Sequence, residues 1–139
     1  MAQPTKGKSK DAFSFDESFS TYSIDDVRAA KDFYQGTLGI SVTDEKEGGL
    51  GLSLGQQKIY LYPKEDHEPA TFTVLNFAVS DIDAAVEELR SRGVEFESYG
   101  GEIETDDDGI FRGGAGGDGP NIAWFKDPSG NILSLIEKK

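Results

Sequence analysis

Apolar and polar residues alternate over residues 19–24, the two-residue period of a half-buried strand. The period then lengthens. Val27, Ala30, Phe33, Tyr34 and Leu38 recur at three- and four-residue spacing, which predicts a helix that Asp25 is placed to cap and Gly39 to end. Three short strands are predicted next: near 40–44, near 50–54 after Gly48-Gly49, and near 58–62 after Gly55. Residues 63–69, charged and bounded by two prolines, read as a connector. The same order then returns, with a strand over 73–79, a helix capped by Ser80 through Ile82, Ala85, Val86 and Leu89, and a stop at Gly93. Strands near 94–97, 121–125 and 132–136 complete it.

The repeat is visible in the letters as well as in the periods. Asp25-Asp26-Val27-Arg28-Ala29-Ala30 returns as Ser80-Asp81-Ile82-Asp83-Ala84-Ala85, each time between an apolar strand and a helical run. A duplicated unit follows, and a site formed between its halves draws matching positions from each. The expected organisation is a disordered basic tail over 1–12 and a single domain over 13–139, made of two modules at about 13–66 and 70–139. One stretch breaks the match. Residues 100–119, rich in Gly and Asp, read as a long connection across the mouth or edge of the sheet.

Each strand has two unlike faces. Ile59 and Leu61 oppose Lys58, Tyr60 and Tyr62; Leu75, Phe77 and Val79 oppose Val74, Asn76 and Ala78; Leu133 and Leu135 oppose Ser134 and Ile136. The aliphatic and aromatic face is expected to pack under the helices. The mixed face is the candidate lining of a cavity.

The doubled order of strand, helix and three strands is accompanied by two motifs: Phe33-Tyr34 followed by Leu38-Gly39, and Phe125-Lys126-Asp127-Pro128-Ser129-Gly130-Asn131 before the last strand. Together they resemble the glyoxalase, bleomycin-resistance protein and extradiol-dioxygenase superfamily, the vicinal oxygen chelate proteins, over roughly residues 15–137. The resemblance implies an α+β fold in which two βαβββ modules form a curved mixed sheet with a concave cavity. It also implies pairing as a homodimer, with the modules matched within one chain or between two.

The resemblance further implies a divalent metal held by His, Glu or Gln from the first and fourth strands of each module. Those four places fall on Phe19, Tyr60, Val74 and Ser134. Phe and Val offer no lone pair, and none of the four is a usual donor to such an ion, so no metal site is expected there.

Composition narrows the chemistry further. The chain has no cysteine, which removes disulfides, thiolate ligands and thiol nucleophiles together. Its single histidine, His67, lies among Glu65, Asp66 and Glu68 and reads as an exposed loop residue away from any candidate serine, so no Ser-His-Asp constellation is expected and catalytic residues stay unassigned. Glu104-Thr105-Asp106-Asp107-Asp108-Gly109 resembles the opening of a calcium loop, but Ala115 stands where the bidentate Glu belongs, so a solvated acidic turn is expected. Gly113-Gly114-Ala115-Gly116-Gly117 lacks the Lys-Ser/Thr of a phosphate loop. Glu137 falls by parity on the helix side of its strand and is expected to reach solvent.

A formal net charge of −12 argues against nucleic acid as a partner and favours a cationic or neutral small molecule. No apolar run is long enough to span a bilayer or resembles a secretory signal, so no membrane partner and a cytoplasmic location are expected. Phe19, Thr21, Tyr60, Tyr62, Val74, Asn76, Ser134 and Ile136 on the mixed face, with Trp124 added from the resemblance, form the expected ligand-binding set. The leading reading is a cofactor-free binder of a small cationic or aromatic molecule. Two alternatives stand beside it: a glyoxalase-type lyase or dioxygenase holding a divalent metal at an atypical site, such as His67 with acidic-loop carboxylates, and a non-catalytic dimerisation or regulatory module.

Overall fold

Asp26 and Asp81 open the two helices in the same way. Both sit in extended backbone (φ/ψ −139°/105° and −137°/100°), and each side chain accepts the amide of the residue three positions on, Ala29 at 3.0 Å and Ala84 at 3.1 Å. The caps therefore fall one residue later than Asp25 and Ser80, the positions expected from the pattern. The computed structural model describes residues 13–113 and 119–138. The tail over 1–12, most of the glycine run and Ala115 lie outside the described residues.

The first module runs β1 (Ser20–Ile24), α1 (Val27–Lys31), a π-helical turn over Asp32–Thr37, β2 (Ser41–Asp44), β3 (Leu50–Leu54) and β4 (Gln57–Pro63). The second runs β5 (Thr73–Val79), α2 (Ile82–Ser91), β6 (Ile110–Arg112), β7 (Asn121–Lys126) and β8 (Ile132–Glu137). Each module carries its own four-stranded mixed sheet, in the orders β1-β4-β3-β2 and β5-β8-β7-β6. The first strand pairs parallel with the fourth, and the others are antiparallel. The expected βαβββ order is thus present twice, on two sheets whose edge strands β1 and β5 do not pair with each other.

Two expectations fail for local reasons. Residues 94–97 form no strand, because Val94 still donates to the Leu89 carbonyl at the end of α2 and only Phe96 bridges to Phe125. The third element of the second module is β6 instead, inside the stretch read as a connection. Asp106 makes this possible: its carboxylate takes the amides of Asp108 and Ile110, reversing the chain so that Ile110 enters the sheet fully buried. The first helix, in turn, leaves α geometry after Lys31, and Leu38 donates to the carbonyl of Phe33 five residues back. That wider turn sends both Phe33 and Tyr34 toward the second module.

The apolar faces behave as the alternation predicts. Ile24, Leu50, Leu52, Ile59 and Leu61 of the first sheet and Leu75, Ala123, Phe125, Leu133 and Leu135 of the second join one buried cluster with Ala30, Ile82 and Val86 of the helices. Phe125 is fully buried in it, with the rings of Phe33 and Phe96 at 6.4 and 5.5 Å.

Candidate functional site

The mixed face of the first sheet is open. Phe19, Thr43, Gly51, Ser53 and Tyr60 line a cleft of about 400 Å³ there, rimmed by Glu17, Glu45 and Glu47 with Lys58. Phe19 is 58% exposed, so its ring is offered to whatever enters rather than packed. Tyr60 and Tyr62, two apart on β4, stack with centroids 6.4 Å apart at 23°. The carboxylates outnumber the one lysine, which makes this surface favourable to a positive group.

The mixed face of the second sheet is aromatic. Trp124 lies against Tyr99 (5.3 Å, edge-on) and Phe111 (6.3 Å), and with Tyr99, Phe72, Ile103 and Ile132 it lines a cleft of about 680 Å³. Burial against these rings holds the Tyr99 phenol above its usual pKa, with Glu97 adding to the rise. Phe111 is not in the expected set because it stands in the segment whose strand the pattern misses, and Tyr99 because it lies beyond the strand expected over 94–97, on no predicted element.

A third cleft, of about 350 Å³, lies where the modules meet and is lined by Thr21, Ser23, Tyr62, Phe72 and Val74. The nine expected residues are therefore distributed. Phe19 and Tyr60 share the first cleft, Thr21, Tyr62 and Val74 share the junction, and Trp124 stands in the cleft of the second sheet. Asn76, Ser134 and Ile136 line none of these three. Ser134 is fully buried and donates to Asn76 Oδ1 at 2.5 Å, so the pair satisfies itself across the β5–β8 register.

The four places at which the resemblance puts metal donors hold two hydrocarbon side chains, a phenol stacked on its neighbour, and a buried hydroxyl already donating. This set does not fit a divalent ion that needs imidazole or carboxylate ligands. Among the described residues no group of three or more His, Cys, Asp and Glu is arranged to hold a metal.

His67 is not the exposed loop residue expected. It is half-buried, with Nδ1 at 2.7 Å from Ser23 Oγ and Nε2 at 2.9 Å from the Ser129 carbonyl, so a histidine does lie beside a serine. Those partners are 44 and 62 positions away, and no local pattern could have joined them. Glu137 does not simply reach solvent either. One carboxylate oxygen takes the Ile82 amide in the first turn of α2 and the other takes Asn121 Nδ2. The acidic turn holds as expected in one respect, since Asp106 to Asp108 are exposed, while Asp106 and Asp83 also clamp Arg112 at 2.9 and 2.7 Å.

Beneath the site, Asp127 fixes the turn between β7 and β8. Its oxygens take the amides of Ser129 and Asn131, Asn131 Nδ2 and the Tyr34 hydroxyl. Gly130 completes that turn at φ +85°, a conformation that suits a residue without a side chain. No helix among the described residues is long and apolar enough to cross a membrane.

No curated protein matches the chain by sequence. Solved structures do match its fold. A glyoxalase family protein from Enterococcus faecalis is 24% identical over 86% of this chain and 94% of its own, with a TM-score of 0.63. TnmS3, an antibiotic binding protein from Streptomyces sp. CB03234, is 23% identical over 91% and 100%, with a TM-score of 0.62. The genomically encoded fosfomycin resistance protein FosX from Listeria monocytogenes is 12% identical over 91% and 96%, with a TM-score of 0.64. The family model of the Glyoxalase/Bleomycin resistance protein/Dioxygenase superfamily matches residues 20–135, from the first strand into the last, and the chain belongs to that superfamily.

Proposed function

We propose that the protein binds a small cationic or aromatic molecule on the mixed faces of its sheets, without a metal at the superfamily's usual place. The supporting observation is the donor set: Phe19, Tyr60 and Val74 suit contact with an organic ligand, and neither they nor the buried Ser134 suits an ion. Thr21, Tyr62, Asn76, Trp124 and Ile136 are proposed to share the lining. Three carboxylates beside Tyr60 favour a positive charge, and the rings of Tyr60 and Trp124 offer cation–π contact. Two fold relatives, described as an antibiotic binding protein and a fosfomycin resistance protein, suggest drug-like molecules as the class to try first.

A homodimer is part of this proposal. Within one chain the lining is divided among open clefts, and the edges of β1 and β5 are unpaired, so a second copy would supply facing residues and cover an edge. The working location is taken to be the cytoplasm. The decisive experiment is native mass spectrometry with metal analysis of the purified protein. A dimer retaining an organic molecule, with metal well below one per chain, is expected; stoichiometric Zn, Ni, Mn or Fe would sink the proposal.

A further inference from the structure

The binding role leaves the contact between Ser23 and His67 without a task. Its proton arrangement is fixed by the partners. The Ser129 carbonyl only accepts, so His67 Nε2 carries the hydrogen, and a neutral ring then presents bare Nδ1 to the Ser23 hydroxyl at 2.7 Å. That is a serine donating to an imidazole whose far nitrogen is held in one tautomer, the relation that activates a hydroxyl nucleophile. The ring nitrogens are exchanged relative to the commonest triad, and either is chemically able to serve as the base.

The holding group is itself rigid. Ser129 is buried, its amide is taken by Asp127 Oδ1, and its hydroxyl donates to Asp25 Oδ1, so the carbonyl that orients His67 is pinned on both sides. The backbone of Ser23 is also suitably turned. Ile24 gives its carbonyl to Lys64 on the β4 side, so the alternation of a parallel pair directs the Ser23 groups to the free edge of β1, where its carbonyl takes Asn131 Nδ2. The Ser23 N–H faces that same edge and can donate to an oxyanion formed on its own side chain.

Ser23 lines the 350 Å³ junction cleft, where Tyr62, Phe72 and Val74 give apolar contact among hydroxyls such as Thr21 and Thr73, and Glu68 beside them disfavours an anionic substrate. We infer that Ser23 and His67 form a nucleophile and general base that hydrolyse small neutral esters in the junction cleft. Ser23 Oγ bonds to the acyl carbon while its proton passes to His67 Nδ1. Collapse breaks the acyl–oxygen bond, and the alcohol leaves with that proton. Water, deprotonated by the same nitrogen, then releases the acid and restores the serine, so the sum is ester plus water to acid plus alcohol.

The test uses the full chain and p-nitrophenyl acetate. Ser23→Ala and His67→Gln are each expected to lower the protein-dependent rate by at least about tenfold. A fluorophosphonate probe followed by peptide mass spectrometry is expected to place its adduct on Ser23 of the unaltered protein, and to do so less in His67→Gln. The labelling does not depend on any variant folding. Absence of an adduct on Ser23, or hydrolysis unchanged in Ser23→Ala, would overturn the assignment.

Discussion

Tyr34 donates its hydroxyl to Asp127 Oδ2 at 2.7 Å, joining the helical run of one module to the last turn of the other across 93 positions of sequence. Because the carboxylate only accepts, the direction is set, and the Tyr22 hydroxyl at 2.8 Å donates in turn to Tyr34. Asp127→Ala would strand two amides and a phenol in the interior and leave Asn131 Nδ2 only its bond to the Ser23 carbonyl, at a cost of roughly 3–4 kcal/mol, while Tyr34→Phe removes one bond and costs about 1–2 kcal/mol. Urea unfolding midpoints check the ranking. Equal costs would mean that the turn holds itself without Asp127.

Alkaline pH should unfold the protein through the same residues. Burial, first of all, raises the phenol of Tyr34 far above its normal value, with the neighbouring Tyr22 and the Asp127 charge adding to it; Tyr22 is raised chiefly by burial as well. A phenol raised in the folded state contributes stability that is complete below about pH 10, the unfolded value, and that falls as pH rises beyond it. Ultraviolet titration of the five tyrosines is expected to show two that ionise only as the fold is lost.

The acid side rests on Arg112. Its hydrogen bonds hold the Asp83 carboxyl below the usual range; Asp106 is also lowered, its partial burial being outweighed by amides of Ile110 and Asp108 and by Arg112. Depressed carboxyls contribute stability that is complete above about pH 4 and that disappears as pH falls through their lower folded values. These side chains are substantially solvent-exposed, so Arg112→Met should cost no more than about 1 kcal/mol at neutral pH. The slope of stability below about pH 4 should flatten in the variant, as read from melting temperature against pH.

Trp124 is the only tryptophan, so fluorescence reports on the cleft of the second sheet alone. A cationic aromatic ligand is expected to quench it, and, with the proposed second copy bringing its first-sheet cleft to face Trp124, Tyr60→Ala is expected to weaken that binding about three- to thirtyfold, equivalent to the loss of one aromatic contact. Quenching with unchanged affinity in Tyr60→Ala would confine the site to the second module.

Gly49 offers a test from the backbone. A methyl group there would meet Tyr60 Cε1 and Oη at 2.8 Å and also press on the Leu61 carbonyl, which cannot move without parting β3 from β4. Gly49→Ala should therefore cost about 1–3 kcal/mol and weaken ligand binding together. Calorimetry and the fluorescence titration measure the two effects.

Strand faces and helices were legible because one period governs each. Ile59 with Leu61, and Val27 with Ala30, need only their neighbours to declare which side is buried. The strand at Ile110 was not legible, since three residues among Gly and Asp carry no period and enter the sheet only because Asp106 bends the chain. The tie of His67 to Ser23 and Ser129 was invisible for a different reason: it is a long-range meeting of polar groups, on which alternation is silent. The lining was partly legible. Tyr60 and Trp124 were reachable from strand parity and motif, whereas Tyr99 stands on no regular element and Phe111, which backs Trp124, depended on a segment whose path no local signal gives.

The π-helical turn over Asp32–Thr37 bears on how the protein could be divided. By turning adjacent side chains inward, it makes Phe33 and Tyr34 a plug that is seated in the other module at Phe125 and Asp127. A cut in the connector between Pro63 and Pro69 would give two fragments, one with an uncovered plug and one with an empty socket. Expressed separately, such halves should be poorly folded alone and recover a common melting transition when mixed, which would make this chain a candidate for split-protein reassembly.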